Sequence, residues 1–263
     1  MSRVLFLSAL VAGGLLAAAP QPQPVHRPLV FEPNRGQAQS QIKWIGQGAG
    51  YQIHFTDDAI TMVFREKDAP SLRTLKMKLV GSQPWSHFGG LDATGGVSNY
   101  LNRPSGAASL TGVPHYGRLK IADLYPGIDF VFHNDSGNLE YDFVVQPGAD
   151  ARQIQVEFAG QRDLRLDHQT GDLLVRMQDG SELRQTRPKM FQQAGDRRID
   201  VAGSYQLLEE GRAAFSLASY DPQRPLTIDP SIQLVQFLGD WSEGRAIAID
   251  PDGKLLPNGF GWG

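Results

Sequence analysis

The chain has 263 residues, with 25 Lys and Arg against 28 Asp and Glu, a net charge of −3, and no Cys. Without cysteine there is no disulfide, no thiolate nucleophile and no Cys-ligated zinc or iron–sulfur site. A slightly acidic balance with no long basic run argues against a protein that works through the electrostatics of nucleic acid or anionic lipid, and 41% hydrophobic against 20% charged residues argues against wholesale disorder.

In chain order, Arg3 precedes an apolar run from Val4 to Leu16 and then the small residues Ala17, Ala18 and Ala19. That order is the pattern of a secretory signal, and the run is shorter than the ~20 residues a spanning helix needs. Residues 1–19 are read as a signal peptide whose removal leaves no membrane span, so the protein is expected to be exported to the periplasm, cell surface or medium. Pro20, Pro22, Pro24 and Pro28 make 20–28 an extended proline-rich linker.

From Leu29 to about Pro230 the dominant period is two. In Thr74 to Val80, Leu75, Met77 and Leu79 alternate with Thr74, Lys76 and Lys78, as in a half-buried strand. Similar runs occupy 51–56, 60–65, 128–133, 139–145, 154–158, 173–177, 204–208 and 213–217. Asp179-Gly180 between two such runs predicts a hairpin with a two-residue type I′ turn. Asn134 to Asn138 and Tyr125-Pro126-Gly127 predict further turns. Many short strands with frequent turns, in a chain with 29 Gly and 17 Pro, define an all-β class: an antiparallel β-sandwich-like domain over 29–231. Its expected core includes Trp44, Ile53, Phe55, Met62, Leu75, Phe130, Phe132, Tyr141, Phe143, Leu174, Phe215 and Leu217.

Five separated motifs carry a resemblance. Phe31-Glu32-Pro33-Asn34-Arg35-Gly36-Gln37, Ser98-Asn99-Tyr100, Tyr125-Pro126-Gly127-Ile128-Asp129, Leu139-Glu140-Tyr141-Asp142-Phe143 and Arg224 to Pro230 together resemble the N-terminal domain of bacterial SBBP-type proteins. The resemblance implies an exported or cell-surface location and a domain placed ahead of β-propeller repeats; it supplies no catalytic residue. Residues 232–263 are similar to the opening of a first repeat that is cut short, a vestigial propeller-repeat tail.

Two groups of polar residues are candidates for chemistry. On a hairpin that sets His133 opposite Glu140, Asp129, His133, Glu140 and Asp142 share one face. Carboxylates spaced in this way suit Ca²⁺ binding or acid–base work on a glycoside, and equally the solvated face of a hairpin whose other face is core. Glu32, Asn34 and Gln37 form an acid–amide cluster around Gly36, suited to sugar hydroxyls or to locking a loop. No close histidine pair, Gly-x-Ser-x-Gly elbow, phosphate loop or HExxH motif is present. The expectation is a non-catalytic structural or interaction module with no required cofactor, its candidate partners being surface polysaccharide or another cell-surface protein. The alternatives are a carbohydrate-active enzyme using the 129–142 hairpin, or a truncated remnant of a longer propeller protein.

Overall fold

The computed structural model describes residues 28–233, apart from 49, 66–71, 102–107 and 136–137. The expected signal peptide, nearly all of the expected linker and the tail beyond Gln233 lie outside the described residues. Within them the chain is all-β and antiparallel, with one single-turn 3-10 helix at Ala151–Gln153.

The nineteen described strands begin with β1 (Val30–Pro33), β2 (Trp44–Gly48), β3 (Tyr51–Phe55), β4 (Ala59–Arg65) and β5 (Leu72–Leu79). Two long strands follow, β6 (Phe88–Tyr100) and β7 (Leu110–Tyr125), and then the hairpin β8 (Ile128–Asp135) and β9 (Asn138–Val145). The rest are β10 (Gln155–Ala159), β11 (Gln161–Leu166), β12 (Leu173–Met177), β13 (Glu182–Gln185), β14 (Lys189–Ala194), β15 (Arg197–Asp200), β16 (Gly203–Leu207), β17 (Arg212–Leu217), β18 (Leu226–Asp229) and β19 (Ser231–Gln233).

They form one ladder. From β16 it passes through β17, β10, β5, β4, β3, β2, β1, β7 and β8 to β9. At β9 it forks, because β18 and β19 share the far edge of β9 in one continuous register that is broken at Pro230. Proline has no N–H for a ladder, so it marks the break. One arm continues through β14 to β15 and the other through β13 and β12 to β11.

The ladder curls until its two ends approach, and the backbone N–H of Val201, just before β16, donates to the Met190 carbonyl of β14 at 2.8 Å. Phe55 of β3 and Phe132 of β8, four strands apart along the ladder, meet edge to face at 5.5 Å across the interior. Phe143 of β9 and Phe215 of β17 do the same at 5.8 Å. The core is thus a single aromatic-rich layer enclosed by the folded sheet. Of the residues expected there, Trp44 and Leu217 are only partly buried at its margin, and Leu174 is buried outside it, on the opposite face of β12 from Leu173 and Val175.

Turn chemistry differs from expectation at one hairpin. β12 and β13 pair, but Asp179 does not take the positive φ that a type I′ turn requires. The loop is three residues long, Gln178-Asp179-Gly180, and only Gly180 is left-handed, at φ 87°. Asp179 is held by its side chain, which accepts from the Ser181 backbone N–H at 2.9 Å and pairs with Arg73 at 2.8 Å. At Pro126-Gly127 a two-residue turn joins β7 to β8, with Gly127 at φ 71°.

Phe132 touches Phe31, Phe55, Phe130 and Tyr141, so it ties both sides of the folded sheet. Phe132→Ala is expected to cost about 3–5 kcal/mol through lost burial and the cavity left behind. The shift in urea unfolding midpoint, with unchanged slope, measures it.

Candidate functional site

The β8–β9 register sets His133 opposite Glu140 and Val131 opposite Asp142. His133 Nε2 lies 3.1 Å from Asp142 Oδ2, and Nδ1 lies 4.0 Å from Glu140 Oε2. Asp129 does not join them. It pairs with Lys120 at 2.7 Å and accepts the Asp123 backbone N–H at 3.0 Å, because it sits at the start of the strand beside β7. Its place is taken by Asp229, a residue not singled out from sequence. One step beyond the Ile228–Phe143 pair, it comes opposite Asp142, and on its other side it stands in register with Lys189 of β14.

This face is more enclosed than a solvated hairpin, since Glu140 is only 6% exposed. Burial, followed by the charge of Asp229, raises the Glu140 pKa. Burial, followed by Asp142, raises that of Asp229. For His133 burial opposes the cation, but the hydrogen bond and charge of Asp142, with Glu140 and Asp229 behind it, outweigh burial and raise its pKa. The cluster therefore holds protons tightly. Among the described residues no three His, Asp or Glu side chains are arranged to hold a metal ion.

The acid–amide cluster splits. Asn34 donates to the carbonyls of Gln39 (2.9 Å) and Ile42 (2.7 Å) and accepts from the Gly36 N–H (2.9 Å). Gln37 donates to the Pro33 carbonyl and accepts from the Arg35 N–H. Both side chains are used in closing the loop after β1.

Glu32 points the other way. Alternation on β1 to β5 sends Phe31, Ile53, Met62 and Leu75 into the main core and puts Glu32, Ile45, Gln52, His54 and Val63 on the second face. Glu32, Ile45, Gln52 and Val63 on that face are also buried. The distal half of the β6–β7 hairpin reaches it, bent by register shifts between Ala93 and Tyr100. Ser98 Oγ donates to Glu32 Oε1 at 2.7 Å and the Tyr100 hydroxyl to Oε2 at 2.6 Å. A chain of amides extends the network: Gln47 donates to the Tyr100 oxygen at 3.2 Å, and Gln52 to Gln47 Oε1 at 3.1 Å. His54 Nε2 lies 2.9 Å from Gln52 Oε1, and burial lowers the His54 pKa to about 4, so the ring is neutral and donates from Nε2.

Ser98 Oγ also lies 2.7 Å from His115 Nε2, which brings a serine, a histidine and a carboxylate together. The connectivity differs from a nucleophilic relay. There the acid holds the imidazole nitrogen remote from the serine. Here Glu32 takes the serine's own proton and stands 3.4 Å from the same Nε2. The arrangement clamps Ser98 and fastens the hairpin to β1. The sequence shows Ser98-Asn99-Tyr100 only as a motif, since nothing local places it beside Glu32, 66 positions away.

These features define an all-β antiparallel domain with self-paired polar clusters. The chain belongs to the family described as "Domain of unknown function (DUF7948)", which matches residues 31–231. No curated protein and no solved structure matches it.

Two measurements follow from these networks. Tyr100→Phe removes one hydrogen bond to a buried carboxylate and the acceptor for Gln47, and is expected to lose about 1.5–3 kcal/mol in chemical unfolding. The histidines respond to pH with opposite sign. Folded His54, at about 4, refuses the proton that the unfolded chain takes near 6.5, so its effect lowers stability as pH falls between those values. His133, with a raised pKa, contributes stability that is complete below 6.5 and lost as pH rises through its folded value. Glu140 and Asp229, also raised, act in the same sense as His133, from the ordinary carboxylate range upward. Urea midpoints between about pH 8 and pH 4.5 should show His54→Gln gaining on the parent as pH falls. His133→Asn should show a larger deficit at about pH 5.5 than at pH 8.

Proposed function

We propose that this domain is a non-catalytic, exported β-rich module that serves a cell-surface protein as a structural or interaction unit, with surface polysaccharide or another surface protein as its partner. The observation that carries the reading is how the chemistry-bearing side chains are used. Glu32 is closed by Ser98 and Tyr100, Asn34 and Gln37 by loop backbone, Asp129 by Lys120, and Asp142 by His133. Groups committed to one another hold a fold in place; a catalytic group has to keep a face for its substrate. The charged, apolar and small-residue order of residues 1–19 supports export, and the resemblance of the five motifs to those of SBBP-type proteins supports a cell-surface setting.

One observation favours a second reading, a carbohydrate-active enzyme: the carboxyls of Glu140 and Asp229, both with raised pKa, stand close to His133 and Asp142. A single experiment separates the two. Purified protein is incubated with bacterial and plant polysaccharides while bound protein and released reducing ends are read together. Binding without release is expected. Release that disappears in the double variant Glu140→Gln, Asp142→Asn would overturn the non-catalytic reading.

A further inference from the structure

The curled ladder leaves a seam. Among the described residues β11 pairs only with β12, and β16 only with β17, so each presents one free edge. Where β11 and the β16–β17 turn converge there is a cavity of about 250 Å³ lined by Gln161, Arg162, Asp163, Leu164, Leu207 and Glu210, among others. We propose that this seam cavity binds a single sugar ring, a deepening of the recognition reading above that rests on it.

The lining has unmet needs. Gln161 Oε1 is buried and finds no donor among the described residues, a condition that costs stability wherever it persists. Arg162 is exposed and makes no ion pair among the described residues, whereas its neighbours Arg165, Arg176 and Arg212 all face carboxylates. Leu207 is one of three large hydrophobic residues exposed among the described residues, at 38%, and with Leu164 it gives the cavity an apolar side.

Size and charge then narrow the occupant. The volume is below the ~300–1,000 Å³ of drug-sized ligands. An inserted strand would need the two edges about 9–10 Å apart, twice the interstrand spacing. They are closer than that, with Cα atoms of β11 and β16 coming within 8 Å of each other. An inorganic anion would meet Asp163 and Glu210 as well as Arg162. A sugar ring satisfies each wall. Its hydroxyls accept from Arg162 and donate to Gln161 Oε1 once that half-buried side chain turns the oxygen toward the cavity, and its C–H face lies against Leu164 and Leu207.

The test uses the full chain, titrated with glucose, galactose, mannose and N-acetylglucosamine and with short oligomers of each, followed by amide NMR shifts. The expected result is saturable shifts at Leu164, Leu207 and Gly211, with affinity reduced at least tenfold in Gln161→Ala and in Arg162→Ala. Gln161→Ala should unfold no earlier than the parent, because it deletes an acceptor that lacks a donor. Oligomers binding where free sugars do not, with the same loss in both variants, would identify the ligand as a residue within a glycan chain and support the proposal. Polysaccharide bound equally by parent and variants would overturn the cavity assignment and leave the recognition reading standing. No binding of sugar, oligomer or polysaccharide would overturn the cavity assignment together with the polysaccharide partner, and leave another surface protein as the partner in the recognition reading.

Discussion

The contact between Phe55 and Phe132 fixes the shape of the molecule. Open, strongly twisted sheets seldom exceed about ten strands without curling or splitting, and this ladder exceeds that length along either arm of its fork. Curling brings β3 over β8 and β9 over β17, so the aromatic side chains on their inner faces fill one space. Strand positions elsewhere follow. Tyr125, at the end of β7, reaches across to donate to the Val80 carbonyl at 3.0 Å, beside the point where β5 meets β10. The pairing of β18 and β19 with one edge of β9 keeps that strand inside the sheet on both sides, which is why Glu140 is buried while remaining on its outer face.

A second consequence of the curl is that β1 to β4 are covered twice, by the main core and by the β6–β7 hairpin. A carboxylate at Glu32 is costly there unless it is hydrogen-bonded. Two hydroxyl donors, at 2.7 and 2.6 Å, supply what water would have given. The donors run in one direction, from His54 through Gln52, Gln47 and Tyr100 to Glu32, so each amide orientation is set by the next. Such a network favours one placement of the hairpin over its alternatives, because a shift by one residue would turn Ser98 and Tyr100 away from the acid.

The fold class was legible because it rests on alternation, and alternation is local. The strand at 173–177 and the pairing of His133 with Glu140 follow from period two and turn residues alone. β6 was not legible. Its sequence, Phe-Gly-Gly-Leu-Asp-Ala-Thr-Gly-Gly-Val-Ser-Asn-Tyr, has no apolar alternation, since most of it faces solvent and only Ser98 is buried. The site residues divide in the same way. Asp142 and Glu140 fall on one face by local spacing, whereas Asp229 enters the cluster through a strand more than eighty residues away, and Ser98 meets Glu32 across 66 positions. Pairings at that separation are set by the curl of the whole ladder, which no short window encodes. The Asp179 turn failed for a different reason: a carboxylate that bonds its own backbone two residues on and an arginine from β5 chose the loop length over the intrinsic preference of the dipeptide.

The polar groups can be ordered by what remains for them to do. Those at Glu32 and around Asn34 have met their hydrogen-bonding needs inside the fold, so altering them registers first as lost stability. The His133 cluster is intermediate, its Asp229 Oδ1 buried without a donor among the described residues yet hemmed in by Lys189 and Asp142. At the seam the balance reverses: among the described residues an acceptor without a donor, an arginine without a carboxylate and an exposed leucine sit where two strand edges stop short of pairing. A sheet that closed fully would have removed those edges and their open groups together. The incomplete closure that leaves the ring open at β11 and β16 is therefore the same feature that leaves one part of this surface with binding capacity to spare.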